Sequence, residues 1–421
     1  MHKREAALLE AVDLLNEEMI DFAARLVAEP STLGNEVTAL RVMEQGLKDL
    51  GYPPQRVAID PEALARHPGF APVPWTYEGR YNLVAMRPAD GEGGKSALLN
   101  GHLDVVSELP LDDWQRDPYL PEVKDGWLYG RGSGDMKAGV AAMVYALAAV
   151  DRAGMGLAAP VTLEAVIEEE CSGNGALACL AAGYDAEAVL IPEPFGPTIL
   201  TAQVGVCWFK ARVKGVPSHA LDTAGGVNAI EKCYLLIAAL RQLEQRLNAR
   251  PHSAFPDNPH PFNFNLGVLR GGDWPSTVPA FAEFYGRLAF PPGLSFAQAR
   301  AQVEHAVRGA AQADPWLAAH PPSLEFYGFR SQGHQVPADQ EVLGLLSDCH
   351  RELSGAPAQE YHSTATTDLR AFVHYGRGQA TCFGPRAQNI HASNERVDLK
   401  SVLHTARAYA LFLSRWCGLM D

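Results

Sequence analysis

The 421-residue chain is 47% hydrophobic and 20% charged, enough apolar material for more than one packed core. Asp and Glu outnumber Lys and Arg by 49 to 35, for a formal net charge of -14, and with no Lys/Arg-rich run to offset it that balance argues against nucleic acid as a partner. No stretch reaches the roughly 18 uninterrupted apolar residues of a membrane span, so no membrane association is expected.

The first predicted element is an amphipathic helix in MHKREAALLEAVDLLNEEM, where charges interrupt the apolar pattern throughout and no signal-peptide cleavage site follows. Short apolar runs at 97–103, 161–167, 188–191 and 380–383 read as buried parallel strands, with helices over 137–152 and 176–182. This alternation predicts an α/β fold, a mixed and largely parallel sheet flanked by helices.

From about 204 to 327 the pattern changes. VGVCWFKARVKG alternates like a half-exposed strand, a helix follows over 227–248, FNFNLGVLRGG and AFAEFYGRLAF read as two further strands, and a helix covers 296–313. That order suits a small antiparallel α+β layer. The expected organisation is one domain in two parts, 1–203 and 328–421, with a smaller α+β domain, 204–327, inserted between them. Cys171, Cys179, Cys207, Cys233, Cys349, Cys382 and Cys417 lie in apolar contexts without a CxxC pair, the usage expected of reduced thiols in a cytoplasmic protein.

The residues able to hold a metal fall where these strands end. His102 lies within the first run, Asp135 ends GRGSGD before a helix, Glu168, Glu169 and Glu170 terminate the second run, Glu193 follows the third, and His391 comes soon after the last. Ligands of open α/β sheets bind beyond the carboxyl ends of the strands. Any one of these residues alone is more often a turn or capping residue. Clustering so many carboxylates without cations is costly, and their joint placement favours a metal site. Imidazoles and carboxylates without thiolates suit zinc, with cobalt or manganese as alternatives. One bridging carboxylate would allow two ions at about 3.5 Å, each with one His and one further carboxylate, and a spare acid of the Glu triplet to take a proton from water. Asp104, on the same face of an extended chain as His102, could fix that imidazole's tautomer.

GHLDVV, YGRGSGDMKAG, EEE, PEP, GVPSHA and IHASNE, in that order over nearly the whole chain, resemble the co-catalytic metallopeptidases that include acetylornithine deacetylase, succinyl-diaminopimelate desuccinylase, aminoacylase and carboxypeptidase G. The resemblance implies one zinc on His102 and Glu193, a second on Glu170 and His391, and Asp135 bridging them. It also implies Glu169 as general base and Asp104 as the carboxylate behind His102. Glu168 stands where that family more often has Asp. The inserted segment resembles the family's lid and dimerisation domain, which implies a homodimer with His219 of VPSHA reaching into the partner subunit's site to stabilise an oxyanion. Arg287 of FYGRLAF matches an arginine that holds a substrate carboxylate. Ser276 of WPSTVP replaces an Asn common in the family, and Thr367 and Asp368 of TATTDLRAF match its substrate-side Thr-Asp segment.

The expected activity is hydrolysis of the amide of an N-acyl amino acid or related N-acyl amine, with Glu169 passing a proton from water to the departing amine. The alternatives are a di- or tripeptidase of the same family and a metal-dependent binding module without catalysis.

Overall fold

The computed structural model describes residues 3–420. The first two positions of the expected N-terminal helix lie outside the described residues; the helix itself runs Lys3–Leu14. The main sheet has six strands in the order Gln55–Ala58, Tyr81–Arg87, Val161–Val166, Ala97–His102, Ala188–Ile191 and Gln379–Cys382. The last four run parallel to one another, and the first two join antiparallel at one edge. The parallel strands are the apolar runs of the sequence, buried on both faces as helix-covered strands must be.

Helix Ala138–Arg152 is buried over almost its whole circumference. Its alanines let it pack closely between the sheet and helices Lys3–Leu14 and Leu399–Trp416. The glycines of GRGSGD and the acidic tips at 168–170 and 193 are thereby brought to one end of the sheet.

Residues 205–331 hold a second, antiparallel sheet in the order Phe264–Gly271, Phe281–Phe290, Gly205–Lys214 and Ser323–Ser331. Helices Ala229–Leu247 and Phe296–Ala313 cover one face. Asn228 caps the first helix, and Ser295 with Gln298 forms a capping box on the second. Phe209, Phe284, Leu236, Leu240 and Val303 form a core separate from that of the main sheet. Each buried side chain of this size contributes roughly 1.5–3 kcal/mol by leaving water, so this layer supplies much of its own stability.

The fourth strand was not anticipated. It continues to Ser331, past the expected division at 327, because its pairing with Gly205–Lys214 extends as far as Val206↔Ser331. A Cβ on Gly333 would lie 2.6 Å from the Gly205 nitrogen, so the two chain crossings between the layers pass at a distance only glycine permits. The stretch HSAFPDNPHP forms a loop, anchored by buried Phe255.

Candidate active site

His102 is the last residue of its strand, and its ring is buried. Its Nε2 lies 3.1 Å from Asp135 Oδ1, while the other oxygen of Asp135 lies 3.4 Å from His391 Nε2. One carboxylate thus faces two imidazoles through separate oxygens. His391 Nε2 is also 3.1 Å from Glu170 Oε1, and His102 Nε2 is 3.9 Å from Glu169 Oε2. Donor atoms of His102, Asp135 and Glu170 lie within 4.8 Å of one another. Glu193 is buried, and among the described residues neither its Oε1 nor the Oε1 of Glu169 has a hydrogen-bond partner.

Electrostatics follows from this crowding. Burial pushes the carboxyl groups of Glu169 and Glu193 well above the usual range, Glu193 further raised by Asp135. The Glu170 carboxylate beside His391 drives that imidazole up to about 11. His102 is likewise raised, its bond to Asp135 and the charges of Glu169 and Asp104 outweighing burial. In the protein alone, and among the described residues, the only positive charges within this cluster are protonated imidazoles. Divalent cations would supply that charge and accept the unpartnered buried oxygens, and the all-N/O donor set fits such ions.

The Glu triplet divides its work. Glu168 is fully buried and accepts hydrogen bonds from Trp75 Nε1, Tyr77 Oη, Arg80 Nη2 and Ser172 Oγ at 2.6–3.0 Å, so it braces the turn, while Glu169 and Glu170 face the imidazoles. Asp104 acts somewhat differently from the expectation. The nearest group to His102 Nδ1 is the Asp104 backbone carbonyl at 2.8 Å, with the carboxylate at 3.7 Å. That carboxylate instead accepts from the backbone amides of Glu169 and Glu170 at 3.3 and 3.1 Å. Burial pushes it up to about 8, against the pull of His102. It ties the His102 strand to the glutamate turn.

Glu395, within IHASNE, was missed as a functional residue. Its buried carboxylate accepts from the amides of Gly132, Gly134 and Asp135 and from Arg131 Nη1, all at 2.7–2.9 Å. It therefore shapes the glycine loop that presents Asp135. Only its place in the quoted motif hinted at this.

Above the cluster is a cavity of about 410 Å³ between the two layers. Glu169, Glu170 and His391 form one side; Trp208, Asn265, Tyr285, Arg287 and Tyr327, from the open face of the antiparallel sheet, form the other. Arg287 donates to Asn263 Oδ1 at 2.7 Å and the Thr364 carbonyl at 2.9 Å, both neutral acceptors, and burial lowers it to about 10.

Other expected contacts fall elsewhere. Thr367 and Asp368 are buried and do not line this cavity; Thr367 bonds Gln203 and Asp368 immediately precedes helix Leu369–Tyr375, whereas Ala365 and Thr366 reach the wall. The chain turns inward there, carrying both side chains into the interior. Ser276 is exposed and also absent from the cavity wall. Its carbonyl accepts from Ala220, and the neighbouring Thr277 forms a bridge with His219. His219 is itself exposed, its Nδ1 accepting from the Leu221 amide at 3.0 Å.

The sequence profile of Peptidase family M20/M25/M40 matches residues 98–415. The chain belongs to this family. It is 31% identical over 293 residues to acetylornithine deacetylase of Salmonella arizonae, covering 68% of this chain and 74% of that protein. It is 27% identical over 364 residues to N-formyl-4-amino-5-aminomethyl-2-methylpyrimidine deformylase of Halalkalibacterium halodurans, covering 82% of this chain and 84% of the relative. In fold it is similar to the di-peptidase Dug1p of Saccharomyces cerevisiae, with a TM-score of 0.81, 13% identity and 99% of each chain covered. No helix among the described residues is long and apolar enough to cross a membrane.

Proposed function

We propose that this protein is a dinuclear-metal-dependent amidohydrolase that splits the amide of an N-acyl amino acid or related N-acyl amine. The observation that carries this reading is Asp135, one oxygen toward His102 and the other toward His391, beside a cavity that Glu169, Glu170 and His391 line on one side and the half-buried Arg287 on the other. Similarity to a deacetylase and a deformylase supports acyl removal over peptide cleavage.

His102 and Glu193 would hold one ion and Glu170 and His391 the other, with Asp135 between them; zinc suits these donors best. Such ions supply Lewis acidity toward a carbonyl and make water a nucleophile at neutral pH.

The chain's own residues do the rest. Glu169 borders the cavity with an unpartnered Oε1, positioned to take a proton from water and return it to the departing amine nitrogen, so that water adds across the C–N bond to leave a carboxylate and an amine. Arg287, whose protein acceptors are neutral, orients a carboxylate on the amine half. Asp104 and Glu395 act through others, holding the glutamate turn and the Asp135 loop.

Residues 204–327 would serve as lid and dimerisation domain, with His219 of the partner subunit stabilising the oxyanion. Leu221 and Trp274, 90% and 68% exposed beside His219, support a partner surface there. A fully active monomer contradicts this role. Seven buried free cysteines support a reducing, cytoplasmic setting.

The test is release of acetate, formate or succinate from N-acyl amino acids and amines, against release of amino acids from di- and tripeptides, by the metal-loaded protein. Acyl release at least tenfold faster is expected; peptide cleavage as the dominant activity overturns the reading.

A further inference from the structure

The open face of the antiparallel sheet presents more than the arginine. Along Gly205–Lys214 the side chains alternate, with Cys207, Phe209 and Ala211 in the core under the helices and Trp208 and Lys210 on the opposite face. Register sets Trp208 directly opposite Arg287, and Arg287 directly opposite Asn265, giving one row across three strands. Directly opposed side chains on one face are neighbours, so a ligand held by Arg287 also meets Trp208.

Trp208 belongs to an aromatic group. Its ring centroid lies 5.0 Å from Phe329 at 88° and 5.9 Å from Tyr327 at 60°, and Tyr285 lies 6.1 Å from Tyr327 at 89°. Edge-to-face rings leave a notch in which a further flat ring can stack on one member and meet the edge of the next. Two of the four already have a cation as neighbour, Arg270 over Tyr285 at 5.7 Å and Arg370 over Phe329 at 4.9 Å. Among the described residues none is placed over Trp208 or Tyr327, and the Trp208 Nε1 has no acceptor. All four rings line the cavity shared with Glu169 and Glu170.

We infer that Trp208 and Tyr327 determine specificity for N-acyl substrates whose amine half carries a flat aromatic ring. This rests on the reading of the cavity as the site of N-acyl hydrolysis. Arg287 and Trp208 then take two features of the same half of the substrate, a carboxylate or other strong acceptor and a ring, while the acyl carbonyl faces the glutamates. A chain with only Arg287 would accept aliphatic and aromatic amines alike; the aromatic wall adds selection by shape.

The experiment is a set of kcat/KM values for the metal-loaded protein on matched N-formyl and N-acetyl substrates. Phenylalanine, tyrosine and tryptophan derivatives represent ring plus carboxylate, leucine and ornithine derivatives carboxylate alone, and an N-formyl aminomethylpyrimidine ring alone. Ring-bearing substrates are expected to exceed ring-free ones by about three- to tenfold, in line with the energy of an aromatic pair. Trp208→Leu should collapse that ratio toward one, and Tyr327→Phe, which keeps the ring, should preserve it. A wild-type protein equally active on leucine and phenylalanine derivatives overturns this inference while leaving N-acyl hydrolysis intact. So does a Trp208→Leu protein that loses both classes equally. No turnover of any N-acyl substrate by metal-loaded protein overturns the underlying reading and this inference with it.

Discussion

The two sheets meet the cavity with different parts of themselves. The parallel sheet offers the ends of its strands, where His102 closes one strand and Glu169, Glu170 and Glu193 follow others into a small volume. The antiparallel sheet offers a face, where Asn265, Arg287 and Trp208 lie side by side through strand register. Strand ends concentrate charge, because several chains converge there and their turns tolerate polar residues. A sheet face spreads its side chains at regular intervals, which suits recognition of shape. On the proposed function, chemistry belongs to one layer and selection to the other, and the changes below should separate the two.

The largest effect is expected at the strand ends. Asp135→Ala removes the carboxylate shared by both imidazoles and should lower turnover by more than about 10³-fold with loss of bound metal. Turnover and metal content near wild type would break the assignment of this layer to chemistry. A smaller effect is expected one step behind. Glu395→Gln keeps the shape of the side chain but removes the charge that gathers three loop amides and Arg131. Metal affinity should weaken by roughly 10–100-fold, measured by competition with a chelator, while the far-ultraviolet circular dichroism stays that of the folded protein.

These predictions differ in how far the sequence alone could have reached them. The four parallel strands were legible as short apolar runs because a strand covered on both faces has no reason to alternate. The antiparallel strands Gln55–Ala58 and Tyr81–Arg87 were not singled out. Glu170 was legible as a polar residue ending such a run and His102 as one within it, whereas Asp135 was legible from closing GRGSGD before a helix and His391 from following soon after the last run. Glu395 was not, because its partners are backbone amides some 260 positions away and backbone amides leave no trace in sequence. Trp208 lay in a stretch whose alternation was evident, yet alternation shows that a strand has two faces without showing what either one faces. Thr367 and Asp368 fell one and two residues beyond Thr366, which the cavity wall includes, an offset that depends on how the chain enters the next helix.

The smallest effect concerns stability away from both layers. His334 is buried and neither ring nitrogen has a partner among the described residues. Burial, with His374 and Arg370 nearby, lowers it from 6.5 to about 3. Because the folded value is depressed, the unfolded chain binds the extra proton as pH falls below about 6.5, so stability is full above that pH and declines below it, by up to about 1.4 kcal/mol per unit for this group. His334→Leu should flatten the pH dependence of the denaturant midpoint between pH 6.5 and 4.5 and leave turnover at pH 7.5 within about twofold. An unaltered slope would contradict the titration of His334.

The most direct measurement is the metal content per chain of the wild-type and Glu169→Ala proteins, taken alongside turnover of one N-acyl substrate. The expected result is two divalent ions per chain in both, with the variant roughly 10²–10⁴-fold slower. A single ion in the wild type, or a fully metal-loaded Glu169→Ala protein that turns over at the wild-type rate, would contradict a two-metal site served by Glu169.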